Sequence, residues 1–274
     1  MTAIEVLAAG PLTTFQDLGR PGLAHLGVPP SGAVDAHALE LGNRLVGNPP
    51  GATALEATLV GPRLRFRVNA LVALTGAEVR LGSNVVRHVH PDEVLDIGPC
   101  RSGSRVYVCV RGGFAVEPVL GSSSTDLLTG LGPPPLRDGD VLVLGPEPAA
   151  APAARIAPPP PSPGVLRLSL GPRDDRLTPA ALELVFRSSW RVTPAANRVG
   201  VRLDGPRLAL ARDDELPSEG LVTGAIQVPP GGLPILLLND HPTTGGYPVV
   251  AVVDSRDLPL AGQLRPGDTV SFRR

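Results

Sequence analysis

The chain has 274 residues, 42% of them hydrophobic, and a formal net charge of −1. This length can fill one large or two small cores, and the balanced charge argues against nucleic acid or an anionic membrane as the partner. All 25 basic residues are arginine, and the absence of lysine excludes a Schiff-base mechanism, a Walker A phosphate loop and biotin attachment to this chain.

The predicted elements are mostly strands. One helix is expected to begin after Asp35, whose carboxylate can cap it, and a second after Thr178, which precedes Pro179 at the first helical position. Alternating or wholly apolar runs predict strands at 64–68, 71–74, 106–110, 235–238 and 249–253. Many strands and few helices predict a mainly β protein with barrel-like halves.

One composition break divides the chain. The stretch 146–164 is rich in proline and alanine, which favours an extended, semi-rigid spacer. We therefore predict a first domain at 1–145, a linker at 146–164 and a second domain at 165–274. The alternative is a surface loop within a single domain.

The sequence carries no signal for secretion or membrane insertion. No apolar stretch approaches the roughly 20 residues of a membrane-spanning helix. Residues 1–5 lack the basic and apolar regions of a signal peptide, and two cysteines are too few for a secreted disulfide scaffold. We expect a cytoplasmic protein.

A first polar segment extends from 13 to 35 and is rich in glycine and proline. Its candidate substrate-binding residues are Gln16, Asp17, Arg20, Ser31 and Asp35. The amide offers a donor and an acceptor, and the guanidinium suits a carboxylate or phosphate. The alternative is purely structural, with Asp17 and Arg20 paired across a turn and Ser31 and Asp35 capping the helix.

A second polar segment extends from 218 to 248. Its candidate catalytic residues are Glu219, as a general base or substrate anchor, and Asp240. Its candidate substrate-binding residues are Gln227, Thr243, Thr244, Gly245, Gly246 and Tyr247. The loop 243–246 can present hydroxyls and successive backbone N–H groups to an oxyanion or ureido-like group. The alternatives are a solvated turn for Glu219 and a tight hairpin for the two glycines. We predict that both polar segments form one site for a small polar molecule.

Two weaker patterns carry less chemistry. His88, His90 and Asp92 alternate, but Pro91 interrupts the run and no second ligand cluster is evident, so no metal site is predicted. Residues 122–125, Ser-Ser-Ser-Thr, indicate a flexible polar loop rather than a nucleophile.

Five motifs in fixed order resemble one known family. They are TFQDLGR at 14–20, NRVG at 197–200, SEG at 218–220, TTGGY at 243–247 and LRPGD at 264–268. The chain is similar over nearly its whole length to the carboxyltransferase-like family, which includes the C subunit of bacterial 5-oxoprolinase, the allophanate hydrolase subunit 2-like proteins and the carboxyltransferase part of urea carboxylase. The resemblance implies two cyclophilin-like β-barrel domains.

The resemblance implies an enzyme subunit. The leading hypothesis is that the chain is the C subunit of an ATP-dependent 5-oxoprolinase, which opens 5-oxoproline to glutamate with A and B subunits. ATP would be used by the assembled complex, with no cofactor attached to this chain. Whether the chain is active alone is left open.

Two other readings remain. One is a carboxyltransferase component that acts on urea or a related amide with biotin carried by a partner, and the other is a non-enzymatic module that binds a B-like partner and regulates a signalling kinase. Many relatives carry a lysine where this chain has Val249, so transfer of their mechanism is less direct.

Overall fold

The computed structural model describes residues 3–153, 164–212 and 214–274. The chain forms two compact units. The first comprises Met1–Arg20, Ser31–Asp126 and Gly130–Pro160, and the second comprises Pro21–Pro30, Leu127–Thr129 and Pro161–Arg274. The predicted domain boundaries at 145 and 165 stay a prediction. The two units differ from them, because segments 21–30 and 127–129 group with the second unit.

The first unit contains two antiparallel sheets and one α-helix. Its elements are β1 Ile4–Ala8, β2 Thr13–Gln16, α1 Ala36–Leu45, β3 Ala54–Thr58, β4 Val60–Phe66, β5 Ala70–Glu78, β6 Val85–Val89, β7 Val94–Pro99, β8 Ser102–Val110 and β9 Val141–Leu142. One sheet has the order β2-β3-β8-β5-β6 and the other β7-β4-β1-β9. All strand pairs in both sheets are antiparallel.

The core of the first unit lies between these sheets. Because side chains alternate along a strand, each sheet contributes one apolar face. Leu55 and Val106 of one sheet and Leu64 and Ile97 of the other belong to the same buried cluster.

Helix α1 covers the other face of the five-stranded sheet. Leu39 packs there in a buried cluster with Ala73 and Cys109. A Cβ at Gly42 would lie 2.5 Å from the Cys109 sulfur, so glycine allows the helix to approach the sheet closely.

The second unit is built on a closed barrel. Its elements are β10 Val165–Leu170, α2 Pro179–Arg187, β11 Ser189–Val192, β12 Gly200–Asp204, β13 Glu219–Gly220, β14 Ala225–Gln227, β15 Ile235–Leu237, β16 Thr244–Gly245, β17 Val249–Val253, α3 Leu258–Gly262 and β18 Thr269–Arg273, with 3₁₀ turns at Ala24–Leu26, Asp174–Arg176 and Ser255–Asp257. The barrel order is β10-β17-β14-β15-β12-β11-β18, and β10 pairs with β18 in parallel to close it. Strands β13 and β16 form a separate two-stranded ribbon. The ring of Trp190 is fully buried in this unit.

The predicted fold class and helix starts are confirmed. The described chain is mainly β, with one closed barrel and two facing sheets. Asp35 caps α1 by accepting from the Ala38 N–H at 2.9 Å, and Thr178 caps α2 by accepting from Ala181 at 3.2 Å. Within the described residues no helix has the length and apolarity needed to cross a bilayer.

The predicted linker lies partly outside the described residues, which omit 154–163. Its first part is attached to the first unit. The Arg111 guanidinium donates to Glu147 Oε1 at 2.7 Å, to the Pro148 carbonyl at 2.7 Å and to the Ala150 carbonyl at 3.0 Å. Residues 147–150 are therefore held by this one side chain.

Candidate functional site

Asp17 is a structural centre of the first polar segment. Its Oδ1 accepts from the hydroxyls of Ser122 and Ser124, both at 2.6 Å, and from the Gly19 N–H at 2.7 Å. Its Oδ2 accepts from the Ser123 N–H at 2.7 Å. These four bonds fix the segment against residues 122–124 rather than leaving the carboxylate open to a ligand.

The prediction of a flexible loop at 122–125 is wrong. These four residues are buried, because Asp17 and Arg20 bind them from a part of the chain about a hundred residues earlier. Arg20 is itself buried and donates to the carbonyls of Val119, Ser122 and Ser124. It therefore braces the turn at 119–122.

Ser31 links Arg20 to a further carboxylate. Its hydroxyl accepts from Arg20 Nη1 and donates to Asp126 Oδ2, both at 3.0 Å. Asp126 is buried, so the Arg20–Ser31–Asp126 chain lies inside the first unit.

Gln16 retains one unused acceptor. Its side chain is 0% exposed, and its Nε2 donates to Thr14 Oγ1 and to the Thr125 carbonyl, both at 3.0 Å. Among the described residues, neither Gln16 Oε1 nor Thr125 Oγ1 has a hydrogen-bond partner. Buried polar atoms are nearly always paired, so these two atoms are available to a water molecule or a ligand group.

A buried polar network lies beside Asp35. The Tyr107 hydroxyl donates to Glu56 Oε2 at 2.7 Å and accepts from the Asp35 N–H at 2.8 Å. Glu56 also lies 3.5 Å from the Arg105 guanidinium. Burial, together with the charges of Glu56 and Asp35, raises the pKa of Tyr107 well above its usual value, so the phenol stays protonated.

Sequence reasoning missed this network. Glu56 is a charged residue within the otherwise apolar or hydroxyl-bearing strand β3, and that contrast was the available signal. Its partner Tyr107 lies 51 residues away, so pairing could not be read from local spacing.

Glu219 is held by an arginine in the second unit. It pairs with Gly245 across the β13–β16 ribbon, and its carboxylate accepts from both Arg173 Nε and Arg173 Nη2. The hydrogen bond from Arg173 and then its charge lower the Glu219 pKa. The side chain is 30% exposed, so the carboxylate is accessible but weakly basic.

Gln227 supports the glycine loop. Its Nε2 donates to the Tyr247 carbonyl at 3.2 Å, and a Cβ at Gly245 would lie 3.1 Å from the same nitrogen. Val249 is buried and lies opposite Gln227 in the β14–β17 register. The structure therefore brings Gln227, Gly245 and Tyr247 together.

Asp240 is enclosed rather than exposed. It is 0% exposed and forms a two-point ion pair with Arg198, Oδ2 to Nε and Oδ1 to Nη2, both at 2.9 Å. Arg198 is 1% exposed, and Asp240 Oδ2 also accepts from the Leu127 N–H at 3.1 Å. The pair fixes the chain three residues before Thr243.

A cavity of about 680 Å³ opens beside the glycine loop, entirely within the second unit. Gly246, Tyr247 and Pro248 line it, and it also contains the side chains of Arg176, Arg207 and Arg212. This volume is typical of small-molecule sites. Of the predicted residues, Gly246 and Tyr247 line the cavity, whereas Gln227 and Asp240 support the loop from behind.

Several predicted residues have simpler surroundings. Thr243 contributes its carbonyl to the Leu221 N–H at 2.9 Å, and the exposed Thr244 lies in β16. Among the described residues, no group of three or more His, Cys, Asp and Glu side chains could hold a metal ion. The predicted sharing of one site by both polar segments stays a prediction.

Comparison with known proteins places this arrangement in a family. The family model described as "Carboxyltransferase domain, subdomain A and B" matches residues 26–274. The C subunit of 5-oxoprolinase from Escherichia coli is 37% identical over 98% of this chain and 90% of its own length.

Larger proteins share the same part. The urea amidolyase of Lachancea kluyveri is 36% identical over 98% of this chain but only 17% of its own length. The crystal structure of Kluyveromyces lactis urea carboxylase has a TM-score of 0.91 and 34% identity, and covers 99% of this chain and 27% of that one. The chain belongs to the carboxyltransferase domain family of subdomains A and B.

Proposed function

We propose that the chain is the C component of an ATP-dependent 5-oxoprolinase that opens 5-oxoproline to glutamate with A and B subunits in the cytoplasm. The observation that carries this proposal is the 37% identity to the C subunit of Escherichia coli 5-oxoprolinase over 98% of this chain and 90% of the relative. The corresponding C subunit from Haemophilus influenzae is 34% identical over 98% of this chain and 90% of its length.

The shares of length favour this reading over urea amidolysis. The matched part accounts for 90% of the 5-oxoprolinase C subunit but for 17% of the urea amidolyase. More than four fifths of the urea amidolyase therefore has no counterpart here, and any activity located in that remainder would have to come from other polypeptides.

The chemical task is to break a resonance-stabilised ring amide. The net change adds water across the C–N bond, with the hydroxyl on the carbonyl carbon and the proton on nitrogen, and ATP hydrolysis drives it. Transfer of a phosphoryl group from ATP to the amide oxygen, with release of ADP, makes the carbonyl carbon attackable by water. The C–N bond then breaks, and hydrolysis of the resulting acyl phosphate releases inorganic phosphate. The lack of lysine disfavours a classical phosphate loop in this chain, so we assign it substrate binding rather than nucleotide binding of that type.

The role assigned to each residue follows from whether a substrate can reach it. The backbone N–H of Gly246, the residue of the loop 243–246 that lines the cavity, is assigned to the amide oxygen. Glu219 does not line the cavity but pairs with Gly245 across the β13–β16 ribbon, so it is assigned a positioning role rather than that of a strong base, consistent with its lowered pKa. Asp240 is a positioning residue, since both of its oxygens are engaged inside the protein.

Reconstitution tests the proposal. Purified A and B subunits are mixed with 5-oxoproline and ATP, with and without this chain, and glutamate and ADP are quantified. We expect glutamate only when all three components are present. Equal glutamate without this chain refutes the proposal.

A second candidate is a carboxyltransferase component that uses biotin on a partner. The TM-score of 0.91 to Kluyveromyces lactis urea carboxylase favours it specifically. Avidin blotting of proteins that co-purify with this chain separates the two readings. A biotinylated partner, with urea-dependent loss of carboxybiotin on addition of the chain, supports the second candidate. No biotinylated partner and ATP-dependent glutamate formation support the first.

A further inference from the structure

The cavity of the second unit has an excess of cationic side chains. Among the described residues that line it, Arg176, Arg207 and Arg212 are basic and Asp214 and Glu215 are acidic. These described residues carry a formal charge of +1, which counts Arg212, whose ion-pair partner Asp175 lies outside the lining. A monovalent organic anion matches this balance, and burial of Arg176 strengthens the attraction relative to a site in open water.

Arg176 has the geometry of a ligand-binding group. It is nine-tenths buried, and both of its bonds to Asp214, at 2.8 Å to Oδ1 and 3.3 Å to the carbonyl, use Nη1. Within the part of the chain that the structure describes, its Nε and Nη2 have no protein partner. A guanidinium edge with two free N–H directions suits two-point binding of a carboxylate.

Arg207 extends this donor surface. Its Nη1 donates to the Gly231 carbonyl, which holds the side chain along the cavity wall. Gly232 adopts φ +76°, and a Cβ there would lie 2.9 Å from the Leu208 carbonyl, so the loop after Pro230 can follow this wall only with glycine. Arg212 differs, because its Nη2 pairs with Asp175, which does not line the cavity.

The rest of the lining suits a small apolar ring. Leu208, Leu210, Leu216 and Val228 contribute aliphatic surface. Gly246 belongs to the loop assigned to the amide oxygen and lines the same cavity. A ligand with an amide at one end, methylene groups in its body and a carboxylate at the other would meet a complementary group at each position.

From these contacts we infer that Arg176 and Arg207 bind the carboxylate of the cyclic amide acid, and that this ion pairing selects 5-oxoproline over lactams without a carboxylate. The inference rests on the proposed function and adds to it the residues that determine specificity. The lactam ring then lies against the aliphatic wall with its amide toward Gly246.

Ligand comparison tests the charge requirement. Binding of 5-oxoproline and of 2-pyrrolidinone, the same lactam without the carboxylate, is measured by NMR on the isolated chain and on the assembled complex. We expect 2-pyrrolidinone to bind at least about tenfold more weakly, as expected when a charge-assisted hydrogen bond is lost. Equal affinity for the two lactams, or no binding of 5-oxoproline to either preparation, overturns the inference.

Variants test the named residues. Arg207 is exposed, so the Arg207→Gln variant should fold. Arg176 is buried, so the folding of Arg176→Gln is checked by circular dichroism. We expect either change to raise the KM for 5-oxoproline about tenfold with kcat within twofold, and to leave 2-pyrrolidinone binding unchanged. The matched control Arg191→Gln, on an exposed position of β11 outside the cavity, should change neither value.

The two proposals fail separately. If the complex needs this chain but folded Arg207→Gln and Arg176→Gln variants keep the wild-type KM, the inference is wrong and the proposed function stands. If glutamate forms equally without the chain, the proposed function is wrong. Arginine-dependent binding of 5-oxoproline by the isolated chain would still support the binding site in that case.

Discussion

Removing the charge of Asp240 should destabilise the protein strongly. In Asp240→Asn the side chain keeps its size and still accepts hydrogen bonds, but Arg198 loses the carboxylate that binds it at two points. Arg198 is 1% exposed, so water cannot replace the missing carboxylate. The change therefore breaks a buried two-point ion pair inside the second unit.

The magnitude follows from this burial. Breaking a buried ion pair by removing one partner costs about 3–5 kcal/mol. Because asparagine keeps part of the hydrogen bonding, we expect the lower end, about 3 kcal/mol. With a urea m-value of about 3 kcal/mol/M, the unfolding midpoint should fall by about 1 M.

Urea unfolding followed by circular dichroism measures this shift. The matched control is Glu183→Gln, which removes a carboxylate from the exposed Glu183–Arg187 pair and should cost no more than about 0.5 kcal/mol. A midpoint for Asp240→Asn within 0.2 M (roughly 0.6 kcal/mol) of wild type would refute the structural role of the pair.

Three further changes test other parts of the structure. Leu120→Asn should stabilise the protein by about 1 kcal/mol in a thermal melt, because Leu120 adopts φ +52° in the turn 119–122 and asparagine tolerates that region better. Tyr107→Phe should cost about 1–3 kcal/mol in urea unfolding, because a buried carboxylate and a backbone N–H each lose a partner. The hydrogen bond from Arg167 lowers the pKa of Asp257 in the folded protein. This carboxylate therefore stabilises the fold above its unfolded pKa of about 3.9, and that stabilisation is lost as the pH falls through the folded-state pKa. The difference in melting temperature between wild type and Asp257→Asn should therefore be largest above pH 5 and shrink below pH 4.

Each change has a control in the same chain. Leu26→Asn alters an exposed leucine outside the left-handed region and should not stabilise. Tyr247→Phe alters a half-exposed tyrosine and should cost less than about 0.5 kcal/mol. Asp175→Asn alters an exposed ion pair and should cost less than about 0.5 kcal/mol. Equal effects in a variant and its control would contradict the corresponding argument.

Local patterns predicted the elements well. The apolar run 249–253 coincides with β17, and the caps Asp35 and Thr178 begin α1 and α2 as expected. These features depend on neighbouring residues, so the sequence contains the information needed. The resemblance supplied the family, which the comparisons confirm.

Long-range pairing was beyond the sequence. Asp17 meets Ser122 across 105 residues, and Arg198 meets Asp240 across 42. A serine-rich stretch alone indicates a solvated loop, and only the folded chain shows that a distant carboxylate buries it. The cavity arginines lie between 176 and 212, and only the folded chain brings them together. Gly246 and Tyr247, in contrast, could be predicted from the unusual composition of their own segment.

The most direct test follows the carbonyl carbon of 5-oxoproline by ¹³C NMR while this chain is titrated into fixed amounts of the A and B subunits with ATP. The account predicts that the lactam signal converts to the glutamate carboxylate at a rate that rises with the chain and saturates at a fixed ratio to its partners. A conversion rate independent of the amount of this chain would contradict it.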